Sequence, residues 1–375
     1  MEEKLYKGQW SKEKAWAWHN SHAWVRGCNY LPGNCTCQFE LWQEPMFEER
    51  MACMEKEMAL AESIGFNSVR IAMNFETWYA DPVAYKKKVD RVLSILDKHH
   101  ITAMFKFGND CTVPKDQYEA PDITKPVETA WGYHGGVIRS PHRAGLDEGY
   151  LPIDEEDMAP KYYEWVRDII STYKDDERVI VWNMWNEPGN TKRFNKSEKH
   201  LRKFFEIARE INPIQPLTAD SWLMTFNKDV ENPLSNLRDI EFLAMELSDI
   251  VSFHHYGSFE HVVSTVKALK DKYGRPLYNT EWLHRIYDNN VEQLFPLFYL
   301  ENIGSYQYGL VESRAQYYEP WESLRGSNLP IDRWQHDIFR ANLRPYSHKE
   351  IEIIKEFCSL ADKDFENKKN NLTRG

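Results

Sequence analysis

Two glutamates in this chain each follow a short apolar run with the character of a buried strand. Glu187 closes Val179-Ile180-Val181-Trp182-Asn183-Met184-Trp185-Asn186, and Glu281 closes Pro276-Leu277-Tyr278-Asn279-Thr280. Strand-end carboxylates in a barrel point at a common mouth, and two carboxylates flanking one bond are the minimal equipment for hydrolysing a glycoside. Pro188 forbids further ladder pairing and is expected to hold Glu187 extended at the rim. One carboxylate must stay ionised to act as nucleophile while the other keeps its proton, so the nucleophile needs cationic or hydrogen-bonding neighbours. For Glu281 the expected neighbours are Arg70, Tyr256 and Arg285.

The run Ser252-Phe253-His254-His255-Tyr256-Gly257 places His254 and Tyr256 on one strand face and His255 on the other, which makes His255 the structural member of the pair. Adjacent histidines raise a second chemistry, a metal-dependent barrel hydrolase using His254, His255, His284 or Asp110. Such barrels need a His-x-His on the first strand, and Arg26-Gly27-Cys28-Asn29 offers none, so neither a metal nor another cofactor is expected. A third possibility is a non-catalytic sugar-binding barrel that keeps an aromatic cleft without turnover.

These side chains need a scaffold that delivers strand ends to one face. Short β-rich runs alternate with longer helical patterns, the sequence form of parallel βα units. The strands are predicted at Trp24 to Cys28, Ser68 to Met73, Thr102 to Phe107, Val179 to Met184, Pro216 to Ala219, Ile250 to His254, Leu277 to Thr280 and Ser305 to Val311. Helices are predicted at Glu48 to Ile64, Pro82 to His99, Tyr162 to Tyr173, Ser197 to Ile211, Phe259 to Tyr273, Val291 to Leu300 and His348 to Leu360, with Asp81 capping the second. No glycine-rich dinucleotide turn follows any strand, which disfavours an open doubly wound sheet. The expected fold is therefore α/β, a (β/α)8 TIM barrel forming one catalytic domain over residues 1–375.

The stretch 109–160 between the third strand and its helix is rich in Pro, Gly, His and charge. After a barrel strand such a loop lies on the catalytic face, and it is expected to wall one side of the cleft. The polar tail 363–375 is expected to fray.

Composition narrows the partners. The 58 acidic against 47 basic residues give a formal charge of -11, which repels nucleic acid and anionic membrane surfaces. Aromatic residues make up 14% of the chain, and rings with apolar faces and polar edges suit stacking on sugars as well as core packing. The six cysteines, Cys28, Cys35, Cys37, Cys53, Cys111 and Cys358, show no metal spacing or disulfide framework. Residues 1–10 are polar, with no apolar core of a signal peptide, and no apolar run approaches membrane-spanning length. A cytoplasmic protein meeting short imported glycosides is the expectation.

Trp185-Asn186-Glu187-Pro188, Asn279-Thr280-Glu281-Trp282, His254-x-Tyr256 and Arg70 after Asn67-Ser68-Val69 resemble clan A of the glycoside hydrolases, most closely glycoside hydrolase family 5. Gly27-Cys28-Asn29-Tyr30-Leu31-Pro32, Asp110-Cys111, Tyr308-Gly309-Leu310-Val311, Gln316 and Pro320-Trp321 resemble in outline its cellulase-like and xylanase-like bacterial branch. The resemblance implies a retaining enzyme with Glu187 as acid/base and Glu281 as nucleophile. It further implies Asn186 on a sugar hydroxyl, Arg70 and Tyr256 steadying Glu281, and His254 lining the subsite. Where clan members carry a tryptophan after the eighth strand, this chain has Tyr308-Gly309-Leu310, so Trp321 or Trp282 is expected to floor the glycone subsite. Glu312 and Arg314 add charge expected near the mouth.

Overall fold

The computed structural model describes residues 5–143 and 145–372. Eight strands form a parallel sheet: β1 (Arg26–Asn29), β2 (Ser68–Ala72), β3 (Thr102–Asn109), β4 (Val179–Asn186), β5 (Leu217–Asp220), β6 (Val251–His254), β7 (Leu277–Trp282) and β8 (Gly304–Tyr308). The hydrogen-bonded order β5-β4-β3-β2-β1-β8-β7-β6 brings β5 and β6 together at the ends. A parallel bridge between Ser221 and Phe253 joins them there. Eight parallel strands thus form a nearly closed (β/α)8 barrel, as the alternating periodicity predicts.

The surrounding helices are α1 (Lys12–Ser21), α2 (Phe47–Ser63), α3 (Phe75–Ala80), α4 (Pro82–Lys98), α5 (Ala159–Tyr173), α6 (Glu198–Ile211), α7 (Asp239–Leu247), α8 (Phe259–Tyr273), α9 (Val291–Leu300) and α10 (His348–Leu372). In α4 the Asp81 side chain accepts from the N–H groups of Val83 and Ala84, and Pro82 opens the first turn. Sequence periodicity missed α1, α3 and α7. In α7 apolar residues run almost around the helix, and most of them are buried, so no amphipathic stripe marks it.

The tail departs from expectation. α10 continues to Leu372, beyond the helix end predicted at Leu360 and into the polar stretch 363–375; along it Asp362 pairs with Arg26, Asp364 accepts from Tyr299, and Lys368 donates to Asn20. Residues 373–375 lie outside the described residues. No helix among those described is long and apolar enough to cross a membrane.

Two apolar layers build the core. A small cluster fills the barrel interior with Val25, Met104, Val181, Ile250, Tyr278 and Tyr306. The larger one packs the outer strand faces against the helices, with Trp182 and Trp282 fully buried in it. At the carboxyl ends of the strands the inward-facing positions turn polar, and there the barrel opens into a cavity of about 1170 Å3.

Candidate active site

Glu187 and Glu281 both line this cavity. Glu281 stands on the inner face of β7, where Arg70 Nη1 donates to its Oε1 at 2.8 Å and the Tyr256 hydroxyl donates to its Oε2 at 2.8 Å. Arg70 is fully buried at the centre of a polar lattice. Its guanidinium also donates to Asn29 (2.6 Å), Asn186 (2.6 Å) and Asp220 (2.7 Å). Asp220 in turn accepts from Asn183, Ser252 and Thr280, each at 2.7 Å. Arg70 uses the planar fork of a guanidinium to hold four acceptors from four different strands.

Glu187 follows β4 and has φ 49°, in the left-handed region, where the extended geometry expected before Pro188 would not place it. The turn is held by Asp110, whose carboxylate accepts from Gly189 N at 2.6 Å, and by Asn190 N donating to the Glu187 carbonyl. Strain of this kind persists only where the surroundings over-determine it. Here it turns the carboxylate toward β6. Oε1 meets His254 Nδ1 at 2.6 Å, while Oε2 accepts from Asn190 Nδ2 at 2.6 Å and from the Cys111 thiol at 2.8 Å.

His254 stands between the carboxylates. Its Nδ1 lies 3.5 Å from Glu281 Oε2, and its Nε2 lies 3.7 Å from Asp220 Oδ2. Burial by itself would strip a proton from this imidazole, but the charge of Glu281 and the hydrogen bonds to Asp220 and Glu187 outweigh it and raise His254 to about 9. Burial likewise pushes the Glu187 carboxyl up. The hydrogen bond and charge of His254, followed by the Cys111 hydrogen bond, outweigh that and bring it down to about 2. Both shifts run against the expectation that Glu187 carries the proton at rest: they favour a proton on His254, shared along its hydrogen bond to Glu187.

The remaining expected residues divide. Asn186, Tyr308 and Trp321 line the cavity with the two glutamates. Trp321 packs edge-on against Tyr256 at 5.6 Å and stacks on His142 at 4.6 Å. Trp282 does not reach the cavity. An irregularity in β7 between Asn279 and Trp282 breaks the alternation that would have carried it inward with Tyr278, and it lies on the outer face, fully buried, with Nε1 donating to Ser305 and its ring against Phe298. Arg285 is also elsewhere. The chain turns at Leu283 (φ 77°), and Arg285 is bound by Glu350 of α10 and by the carbonyls of His336 and Asp337. Glu312 accepts from Ala341 N, and neither it nor Arg314 is among the cavity-lining residues.

The residues named for the metal-dependent alternative also separate. His255 is bound by Thr265 and by Gly257 N on the far side of β6. Asp110 is committed to Arg193, Ser197, Trp185 and Gly189 N. His284 stacks on Tyr287 at 4.2 Å. Among the described residues, Glu187, His254 and Glu281 form the one group of such donors with atoms all within 4.8 Å of one another.

Several contributors escaped sequence reasoning: Asn29, Lys106, Cys111, Asn190 and Asp220. Lys106 lines the cavity from β3 though nearly buried, and burial, followed by the charge of Arg70, lowers it to about 8. Asp220 ends β5, directly after the predicted strand Pro216 to Ala219, a strand-end carboxylate like the two glutamates. The long loop lines the cavity with Tyr133, His134, Arg139 and His142 among others. It is fastened by Arg193, which bonds Asp110, Asp154 and the Gly149 carbonyl.

No protein-family model matches the sequence, and no curated protein sequence matches it significantly. Solved structures do match in fold. An exo-β-1,4-mannosidase, Op5Man5, from Opitutaceae bacterium strain TAV5 superposes with a TM-score of 0.58 at 14% identity, covering 97% of this chain and 63% of that one. The endo-β-1,4-mannanase of Thermotoga petrophila gives a TM-score of 0.54 at 12% identity, covering 91% of this chain and 77% of that one. A GH5_18 protein from Streptomyces cattleya, solved with GlcNAc, gives 0.55 at 11% identity over 92% and 81% of the two chains. This chain thus spans under two thirds of the mannosidase's length, and at these identities the likeness is one of fold alone.

Proposed function

We propose that this chain is a retaining β-glycoside hydrolase acting on oligosaccharides or short β-glycosides, with Glu187 as acid/base and Glu281 as nucleophile. The observation that carries the reading is the facing pair: oxygen atoms of Glu187 and Glu281 lie within 4.8 Å of each other across His254, in one cavity. Retention needs carboxyl groups about 5–5.5 Å apart, whereas inversion needs about 6.5–9.5 Å to admit a water between them. Arg70 and Tyr256 hold Glu281 as a nucleophile requires. The activities named for the mannosidase and the mannanase of like fold agree with this substrate class.

In the first step a Glu281 oxygen bonds the anomeric carbon as the bond to the leaving oxygen breaks, and Glu187 passes its proton to that oxygen. Before it can do so, the proton on His254 Nδ1 crosses to Glu187 Oε1, along the 2.6 Å hydrogen bond. In the second step Glu187 takes a proton from water, whose oxygen displaces Glu281 and restores the configuration. Asn186, beside Arg70 and Glu187, is proposed to meet a sugar hydroxyl, and Trp321 and Tyr308 the glycone ring. Placement in family 5, a single catalytic domain and a reducing compartment complete the proposal, the last on six free thiols.

The test is a panel of aryl β-glycosides of glucose, mannose, xylose, galactose and arabinose, with the first-formed anomer read by NMR. A β-anomer, and labelling of Glu281 by the matching 2-deoxy-2-fluoro glycoside, are expected. A first-formed α-anomer would sink the double displacement.

A further inference from the structure

The cavity has two unequal aromatic walls, one on each side of the catalytic pair. On the Glu281 side, Tyr256, Trp321, Tyr133 and Tyr308 are all buried, and the long loop folds His142 onto Trp321. On the Glu187 side the loop after β5 carries Trp222 and Phe226, which also line the cavity, and Phe226 is 50% exposed. Trp222 Nε1 donates to the carbonyl of Pro188 at 3.3 Å, which fixes the indole one residue from the proton donor.

Phe226 packs edge-on to Trp222 with centroids 5.9 Å apart. The segment between them is pinned to β6, since the Thr225 hydroxyl donates to the His254 carbonyl and accepts from Tyr256 N. Beyond that contact Phe226 leaves half of its surface uncovered, on a pinned loop at the rim of the cavity. An apolar ring so placed is suited to a ligand with a flat apolar face.

We propose that Trp222 and Phe226 form the subsite for the leaving group, taking the face of a β-linked sugar ring or an aryl aglycone. The inference rests on the hydrolase reading above, because an acid/base must stand beside the oxygen that departs. Buried rings on the glycone side and an exposed aromatic leaving-group side favour exo-action: one residue meets the buried rings, and the rest of the ligand lies across Trp222 and Phe226.

The experiment compares three substrates of the sugar hydrolysed fastest: its β-linked disaccharide, its p-nitrophenyl β-glycoside and its glycosyl fluoride, which has no ring to stack. Phe226→Ala should lower kcat/KM about 2- to 12-fold on the ring-bearing substrates, the range of an aromatic stacking contact, and leave the fluoride unchanged. Phe226→Trp should restore it. A fall confined to the p-nitrophenyl glycoside supports an aryl ligand, and one confined to the disaccharide supports a sugar. Equal falls on all three substrates, or none, overturn the subsite.

Equilibrium binding separates this result from the catalytic reading. A Glu281→Gln protein should bind the p-nitrophenyl glycoside more tightly than the methyl glycoside, and lose that preference with Phe226→Ala. Equal binding of the two with Phe226 intact overturns the subsite, whereas the preference without turnover of any substrate by the unmutated enzyme overturns only the hydrolase.

Discussion

His254 Nδ1 lies 2.6 Å from Glu187 Oε1, and along this contact the two groups share a proton. Two groups drawn apart to about 2 and about 9 share a single proton across the whole neutral range. Titration of such a pair belongs to both members.

The pH dependence follows from that sharing. The pair keeps its proton until pH rises through about 9, the raised value of His254, so kcat/KM should hold through neutrality and fall above about 9. In His254→Gln the cation that lowers Glu187 is gone, burial dominates, and the carboxyl must store the proton itself. The alkaline limb should then move down toward the carboxylic acid range, with activity at neutral pH reduced about 10²-fold, the lower end of a general-acid contribution. A limb that remains near pH 9 in the variant would refute the shared proton.

Removing each glutamate separates their roles. Glu281→Gly should abolish turnover of natural substrates, and azide should restore it with formation of an α-glycosyl azide of inverted configuration. Glu187→Ala should lose at least about 10²-fold on substrates with poor leaving groups, less on activated aryl glycosides, and azide should give the β-azide. Exchanged product configurations would exchange the assignments.

Cys111 is one of three donors to Glu187, with its thiol 2.8 Å from Oε2. Burial, then the charge of Glu187, raise the thiol well above its ordinary value, so it stays protonated and donates. Cys111→Ala should cost about 20-fold in kcat/KM, within the about 1.5–3 kcal/mol range of hydrogen bonds to charged groups. Cys111→Ser, which keeps a donor, should recover most of it. Equal losses in the two variants would mark the residue as packing only.

Arg70 and Asp220 are both fully buried and joined at 2.7 Å. Arg70→Ala leaves Asp220 and Glu281 as uncompensated acids, and should lower stability by about 3–5 kcal/mol by urea unfolding as well as abolish turnover. Arg70→Lys should recover little, because a point charge cannot meet acceptors on four strands. Full stability in Arg70→Lys would contradict the lattice described for this site.

The eight strands, their order and the rim positions of Glu187 and Glu281 were legible in the sequence, because strand runs and helix stripes are local patterns with fixed periods. Tyr256 and His254 followed from alternation along β6. Three things were not legible. Trp282 and Arg285 neighbour Glu281 in sequence, yet the irregularity in β7 after Asn279 and the turn at Leu283 send them away from it. Cys111 and Asn190 reach Glu187 only because the left-handed turn at Glu187 redirects its carboxylate. And the protonation of the pair depends on burial and on charges from β4, β5, β6 and β7 meeting at one point. Sequence determined which chemical groups stand at the mouth of the barrel; tertiary structure decided which of them touch, and therefore where the proton is kept, since distance and desolvation exist only in the folded chain.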